Sequence, residues 1–289
     1  MDLEAVSKQR ETFAKDGVVC VRGAFDARAL SDALAAWEWS LAHPSRAANT
    51  FEGEGRFYQD LLNPASLERY APMLRTSPAV DVVRTLWGRP DVWYLYEQVF
   101  LKEGRETRRT PWHQDSSYLP IEGERIAVVW ISFDPVAKTD ALEFVRGSHR
   151  GPMYDGSRFD PRDDTAPLYG DGSLPRLPDI QADRGQWDIV SWAVEPGDVI
   201  VFHPGVLHGG GATHKGVRRR TLSLRFLGDD AVFALRPGMR AVADMPRPLA
   251  LNPEEEAGLS VFARIATTLA PGDPLRHPSF LKLSSSLGA

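Results

Sequence analysis

A series of apolar, β-branched and aromatic segments in the second part of the chain limits the folds available to it. Val92–Lys102 is rich in tyrosine, valine, tryptophan and phenylalanine, a composition typical of strands, and predicts a long strand. The same kind of reasoning predicts further strands at 17–21, 126–134, 141–145, 186–194, 199–203, 219–227 and 231–235.

Helical patterns come mainly before these strands, at 3–15, 26–41 and 66–87, with a closing helix at 251–269. Helices followed by strands with long connections predict an α+β protein with a mainly β core. We expect a double-stranded β-helix of the jelly-roll or cupin kind with flanking N-terminal helices. The 289 residues suggest a single domain over 1–289, with its core at about 88–236 and helical support from 1–87. The Gly-, Pro-, Asp- and Arg-rich segment 147–185 is expected to form a lid loop.

The charge and cysteine content exclude several classes of protein. The formal net charge is −5 with a pI near 5.8, which argues against a nucleic-acid partner. A single cysteine, Cys20, excludes both intrachain disulfides and a Cys-rich zinc site. The sequence shows neither a secretory signal nor an apolar run long enough for membrane insertion, so we expect a cytoplasmic enzyme.

One short segment carries two metal-binding residue types at strand spacing. His113 and Asp115 lie two positions apart in TPWHQD, which would place both side chains on one face of a strand. A His-x-Asp pair is common by chance, so the hypothesis of a metal site depends on a second histidine elsewhere in the chain. His208 follows a Glu-Pro-Gly-Asp turn at 195–198, an apolar strand and a Pro-Gly pair, whereas His203 precedes proline and is expected to be structural. Two histidines and one carboxylate form the facial triad of non-heme Fe(II) oxygenases.

Three protein ligands leave positions on an iron ion for a chelating 2-oxo acid. The distal carboxylate of such a co-substrate would require a planar, permanently charged donor, and arginine provides one. The segment 217–225 offers four candidates, of which two of the three consecutive arginines are expected to be solvated: Arg218, Arg219, Arg220 and Arg225.

Taken together, the chain resembles the phytanoyl-CoA dioxygenase family of Fe(II)- and 2-oxoglutarate-dependent oxygenases over roughly residues 10–230. The segments that carry the resemblance are Pro111–Asp115, Trp130, Phe144–Arg150, Gly197–Gly209 and Arg219–Ser223.

The resemblance implies a role for each matching position. His113, Asp115 and His208 correspond to the iron ligands, and Arg219 to the arginine that binds the distal carboxylate of 2-oxoglutarate. Trp130 and Gln98 correspond to residues that contact the co-substrate. The implied reaction hydroxylates an unactivated C–H of a small-molecule or acyl substrate with O₂, releasing succinate and CO₂.

Two departures from the family pattern concern the co-substrate. Relatives often carry serine two residues after the distal histidine, where this chain has Gly210, and often asparagine around Ala212 and Thr213. Backbone groups, Thr213, Ser223 or water would have to replace the serine hydroxyl. The carboxylate of Asp115 favours an oxygenase, because related halogenases lack it.

Several alternatives remain open at this point. The chain could be a cupin-like metalloenzyme that does not use 2-oxoglutarate, or a catalytically silent metal-binding relative. The sequence does not specify the primary substrate or the oligomeric state. Aromatic candidates for the substrate pocket, each of which could equally belong to the core, are Phe57, Tyr58, Tyr96, Trp112 and Tyr118.

Overall fold

The computed structural model describes residues 1–51, 55–104, 106–237 and 261–283. Helices in these ranges cover Leu3–Ser7, Arg10–Asp16, Ala27–Ala42, Ser66–Thr76, Pro78–Trp87 and Val261–Thr268. The strands are β1 Val18–Val21, β2 Asn49–Phe51, β3 Arg56–Leu61, β4 Val92–Glu103, β5 Thr110–His113, β6 Ile121–Glu122, β7 Ile126–Ser132, β8 Leu142–Val145, β9 Ile189–Ser191, β10 Val199–Phe202, β11 His208–Gly210, β12 Arg219–Leu227, β13 Val232–Phe233 and β14 Leu281–Leu283.

Two antiparallel sheets form the core of the fold. The larger has the strand order β1-β10-β7-β12-β4-β3-β2, with β14 also paired to β4, and the smaller has the order β5-β11-β8-β9. Trp130 and Phe202 of the larger sheet share one apolar cluster with Phe144 of the smaller sheet. Apolar packing of two antiparallel sheets agrees with the predicted jelly roll.

Strand β12 separates the helix-covered side of the larger sheet from the space between the sheets. Leu222, Leu224 and Phe226 belong to the main apolar cluster together with residues of the N-terminal helices. Successive residues of a strand lie on opposite faces, so the residues between these apolar positions form a polar set directed toward the smaller sheet: Arg219, Thr221, Ser223 and Arg225.

Local signals explain where the helices begin and end. Asp26 accepts a hydrogen bond from the Ala29 amide at 2.8 Å and caps the helix that starts at Ala27, as its residue type favours. Pro78 occupies the first turn of its helix, which ends at Gly88 in a left-handed conformation, the usual place for glycine.

The structure corrects several sequence-based boundaries. The predicted helix over 3–15 is two short helices, and the strand predicted at 186–194 is reduced to Ile189–Ser191. Strands β2, β3, β6 and β14 were not predicted. The first part of the predicted closing helix, 251–260, lies outside the described residues. No helix in the described ranges is both long and apolar enough to cross a membrane.

Leu224→Ala should destabilise the fold, because Leu224 is fully buried under the helices. We expect the free energy of unfolding in urea to fall by about 2–5 kcal/mol, the cost of a large-to-small core substitution. The exposed Leu3 provides the control, and Leu3→Ala should change the free energy by less than about 0.5 kcal/mol. Equal values for the two variants would contradict this description of the core.

Candidate metal centre

The pairing of β11 with β5 brings the two candidate histidines together. His208 lies directly opposite His113 in the antiparallel register, and their ring centroids are 4.2 Å apart. The sequence interpretation placed His208 just beyond a strand, whereas it begins a short strand of the smaller sheet. The fold therefore brings together two residues that are far apart in the sequence.

Backbone carbonyls orient both imidazole rings in the same way. Nδ1 of His113 lies 2.9 Å from the carbonyl oxygen of Pro111, and Nδ1 of His208 lies 3.0 Å from that of Val206. A carbonyl can only accept, so each Nδ1 is the donor and each Nε2 keeps its lone pair. Such bonds fix the tautomer and ring orientation of metal-binding histidines.

Asp115 completes the cluster from a turn. Strand β5 ends at His113, and Asp115 starts a 3₁₀ turn that extends to Ser117, so the predicted continuous strand through both residues is wrong. Gln114 secures this turn: its Nε2 donates to the carbonyl of Gly205 and its Oε1 accepts from the amide of Tyr154, both at 2.8 Å. The turn, rather than strand alternation, directs the carboxylate toward the histidines.

The three donor atoms form a compact set. Asp115 Oδ1 lies 3.5 Å from His113 Nε2 and 3.9 Å from His208 Nε2, and the cluster's donor atoms all lie within 4.8 Å of one another. Metal–ligand distances of about 2.0–2.2 Å require such proximity. Two imidazole nitrogens and one carboxylate oxygen are suitable donors for Fe(II), and they leave positions for other ligands.

The electrostatics of the cluster favour a bound cation. Burial, together with the proximity of His113, lowers the pKa of His208 to about 3, so this ring is neutral near pH 7. Burial alone would raise the pKa of Asp115, but Arg225 and the two histidines lower it well below its usual value. A neutral ring and an ionised carboxylate are the forms that bind metal.

The other histidines considered lie apart from this cluster. His203 Nε2 is 3.1 Å from the carbonyl of Gly123, and burial lowers its pKa to about 4, which fits the structural role expected for it. His214 is largely exposed and pairs with Asp140 at 2.9 Å.

The predicted co-substrate residues share the inner side of the larger sheet. Ser223 of β12 pairs with Gln98 on one side and with Trp130 on the other. Arg219 is buried and donates to the carbonyls of Asp140, at 2.7 Å, and Gly211. Burial lowers the pKa of Arg219 to about 10, which leaves it charged near pH 7. Gln98, Trp130 and Arg219 thus lie on three adjacent strands of the larger sheet, β4, β7 and β12 respectively.

The glycine at the family's serine position has a local explanation. Gly210 has φ +83°, and a Cβ there would lie 3.1 Å from the carbonyl oxygen of Ala141, so a side chain is disfavoured in this backbone. Of the suggested replacements, Thr213 already shares a 2.6 Å hydrogen bond with Thr107. Ser223 remains the hydroxyl placed between the predicted co-substrate residues.

The structure also identifies buried cations whose roles were not predicted. Arg225 donates to Asp115 Oδ2 at 2.9 Å. The sequence had suggested it only as one of four arginines that could bind the co-substrate. Lys102 lies directly across the strand pair from Arg219 and is equally buried. Strand register, which a single sequence does not provide, would have been needed to find both.

The aromatic candidates for the substrate pocket separate into different environments. Tyr118 lies near the three candidate metal ligands, with its ring centroid 6.2 Å from that of His113. Tyr58 belongs to the main core and Trp112 to a cluster with Leu177 and Ile180. Phe57 contacts the Lys102 ammonium, and Tyr96 the Arg225 guanidinium.

One residue of the predicted lid loop lies beside the three candidate metal ligands. Phe159 has a ring centroid 5.3 Å from that of His113 and a φ of +55°, which is unusual for a bulky residue. Two basic residues of the loop pair within the loop itself, Arg162 with Asp160 and Arg176 with Asp163, whereas Arg184 pairs with Glu143 of β8.

His208→Ala should lower the affinity for Fe(II) or Co(II) by more than about 100-fold, because it removes a ligand rather than an outer partner. Isothermal titration calorimetry under anaerobic conditions measures this change. His214→Ala is the matched control and should bind metal as the unaltered protein does. Similar affinities in the two variants would exclude His208 as a ligand.

Gly209→Ala tests the strand contact that positions His208. A Cβ at Gly209 would lie 2.9 Å from the carbonyl oxygen of Thr110 and 3.1 Å from that of Pro111, so β11 would be pushed away from β5. We expect metal affinity to fall by about 10–100-fold, as when the support of a ligand is lost. Gly185→Ala, where a Cβ meets open space, should have no effect; a full-affinity Gly209→Ala protein would refute the argument.

Comparison with known sequences groups the chain with one enzyme family. The family model described as phytanoyl-CoA dioxygenase (PhyH) matches residues 13–221. A probable phytanoyl-CoA dioxygenase of Caenorhabditis elegans is 28% identical over 158 residues, 52% of this chain and 48% of that protein. The peroxisomal phytanoyl-CoA dioxygenase of Homo sapiens is 25% identical over 177 residues, 60% of this chain and 49% of that protein. The chain spans about half the length of these curated relatives.

Solved structures confirm the predicted fold class. The non-heme alpha ketoglutarate dependent epimerase SnoN from nogalamycin biosynthesis has a TM-score of 0.68 at 20% identity, covering 100% of this chain and 99% of its own. The carbocyclase SnoK from the same biosynthesis has a TM-score of 0.66 at 18% identity, covering 98% and 97%. At such identities the likeness concerns the fold alone. The family model, by contrast, covers well over half of the chain, and the chain belongs to the phytanoyl-CoA dioxygenase family.

Proposed function

We propose that the protein is a non-heme Fe(II)- and 2-oxoglutarate-dependent oxygenase. The observation that carries the proposal is the convergence of His113, Asp115 and His208 with donor atoms within 4.8 Å of one another. Family membership supports the same reading. A cluster of two imidazoles and one carboxylate is the ligand set of this enzyme class.

Two buried cations support 2-oxoglutarate as the co-substrate. Arg219 and Lys102 lie opposite each other on β12 and β4, and both donate to the carbonyl of Gly211. Burial, and then the charge of Arg219, lower the pKa of Lys102 well below its usual value. No ion pair joins either cation to a carboxylate among the described residues. Burying a cation without an anion is costly, so this site favours an anionic ligand such as the distal carboxylate of 2-oxoglutarate.

Different residues of the chain would bind the metal, bind the co-substrate and exclude water. When bound, iron would supply the oxidation of 2-oxoglutarate and substrate by O₂. His113 and His208 would hold the metal through Nε2 and Asp115 through Oδ1, leaving positions for the co-substrate. Arg219 would anchor the co-substrate at its far end, with Gln98, Trp130 and Ser223 along its length. The apolar rings of Phe144 and Phe202, 5.9 and 4.7 Å from His208, keep water away from that ligand.

The reaction we propose is hydroxylation of an unactivated C–H in a small-molecule or acyl substrate, with release of succinate and CO₂. The ligating carboxylate of Asp115 supports oxygenation. Family relatives include an enzyme named as a probable alpha-ketoglutarate-dependent hypophosphite dioxygenase in Stutzerimonas stutzeri, 25% identical over 166 residues. The substrates named for the relatives differ, phytanoyl-CoA for one and hypophosphite for another, so we leave the substrate class of this chain broad.

Arg219→Ala should weaken 2-oxoglutarate binding to the Mn(II)-loaded protein by about 10- to 150-fold, the equivalent of about 1.5–3 kcal/mol for a charged hydrogen bond. Anaerobic calorimetry measures the affinity, and succinate formation with Fe(II), ascorbate and O₂ measures turnover without a known substrate. Arg220→Ala is the control, because Arg220 lies on the same strand but pairs with Asp134.

Three results would separate the alternatives. Metal binding without any affinity for 2-oxoglutarate would point to a cupin-like metalloenzyme of another kind. Binding of both ligands without succinate, with or without candidate substrates, would point to a catalytically silent relative. Unchanged 2-oxoglutarate affinity in Arg219→Ala would contradict the assigned anchor.

A further inference from the structure

We infer that Arg225 is a positioning residue that makes Asp115 a one-oxygen metal ligand. The inference rests on the proposed metal site and adds a residue to it. In the described part of the chain Arg225 forms no hydrogen bond with either imidazole, and its hydrogen bond to the candidate metal ligands is the one to the carboxylate of Asp115.

The two carboxylate oxygens of Asp115 have different partners. Oδ1 is the oxygen near both imidazoles, 3.5 Å from His113 Nε2 and 3.9 Å from His208 Nε2. Oδ2 accepts a hydrogen bond from Arg225 Nη2 at 2.9 Å. A charge-assisted hydrogen bond of this length is strong and directional. One oxygen is therefore directed to the metal position, while the other is already occupied.

Arg225 is itself held rigidly. Its guanidinium lies over the Tyr96 ring, 4.5 Å from the centroid, and the same Nη2 donates to Gln98 Oε1 at 2.7 Å. Asp115 is its ion-pair partner in the described part of the chain. Nε and Nη1 are buried and form no hydrogen bond with the residues that the structure describes, so these residues satisfy the guanidinium only in part. Burying a guanidinium in such surroundings is unfavourable, and its ion pair with Asp115 is the interaction that explains its position.

The consequence concerns the number of open metal positions. Carboxylates bind metals through one oxygen or through both. If Oδ2 were free, it could rotate toward the metal and occupy a position that the triad otherwise leaves open. By holding Oδ2, Arg225 preserves that position for a bidentate co-substrate. It also gives Gln98 a role in the same network, because Gln98 shares the donating nitrogen.

The experiment counts the water molecules on Mn(II) bound to the full chain, without 2-oxoglutarate or O₂. Line broadening of the Mn(II) EPR signal in ¹⁷O-enriched water gives this number. With one-oxygen Asp115, octahedral Mn(II) should carry about three waters, and Arg225→Met should carry about two because Oδ2 becomes a ligand. Arg225→Lys retains a cationic N–H donor of closer reach to Oδ2 and should restore the higher count. Arg220→Met, on the same strand but paired to Asp134, is the matched control and should also show three.

The second measurement is the affinity of each Mn(II)-loaded protein for 2-oxoglutarate, which should fall at least tenfold in Arg225→Met and recover in Arg225→Lys. The same water count in Arg225→Met as in the unaltered protein would overturn the inference. So would a count of two in the unaltered protein, a reading that needs no variant and stands even if Arg225→Met does not fold. An unaltered protein that fails to bind 2-oxoglutarate would contradict the proposed function while leaving the water count interpretable.

Discussion

The antiparallel contact between β11 and β5 is the constraint on which the rest of the site depends. It sets His208 opposite His113, and it requires the backbones to approach so closely at Gly209 that a Cβ would contact the carbonyls of Thr110 and Pro111. The backbone carbonyls of Pro111 and Val206 then turn both Nε2 atoms the same way. Strand pairing therefore determines where the donor atoms of His113 and His208 lie, and their chemistry makes them suitable metal ligands.

Strand β12 connects the stability of the fold to the chemistry of the site. One face contributes Leu222, Leu224 and Phe226 to the main core, and this packing fixes the opposite face. That face carries buried arginines at both ends, Arg225 against Asp115 and Arg219 against backbone carbonyls. Burying such charges is unfavourable, and the strand can carry them because its other face is fully packed. The polar face is the part of the strand that its apolar pattern alone would not explain.

The sequence predicted the fold class and identified the three residues of the candidate metal site, but not how the fold brings them together. The aromatic and β-branched runs identified β4, β7, β10 and β12, and the family resemblance singled out His113, Asp115 and His208. Asp115 was expected on the same strand face as His113, whereas a 3₁₀ turn held by Gln114 directs it. The roles of Lys102 and Arg225 depend on which residues face each other across strands. Register is a tertiary property, because it is selected by turns and packing outside the strand itself.

We propose that two imidazoles and one carboxylate from distant parts of the chain bind a single iron ion. X-ray absorption spectroscopy of the anaerobic Fe(II)-loaded protein tests it most directly, because multiple scattering from imidazole rings counts histidine ligands. We expect two imidazoles per iron within a shell of nitrogen and oxygen donors at about 2.0–2.2 Å. An iron shell with one imidazole or none would contradict it.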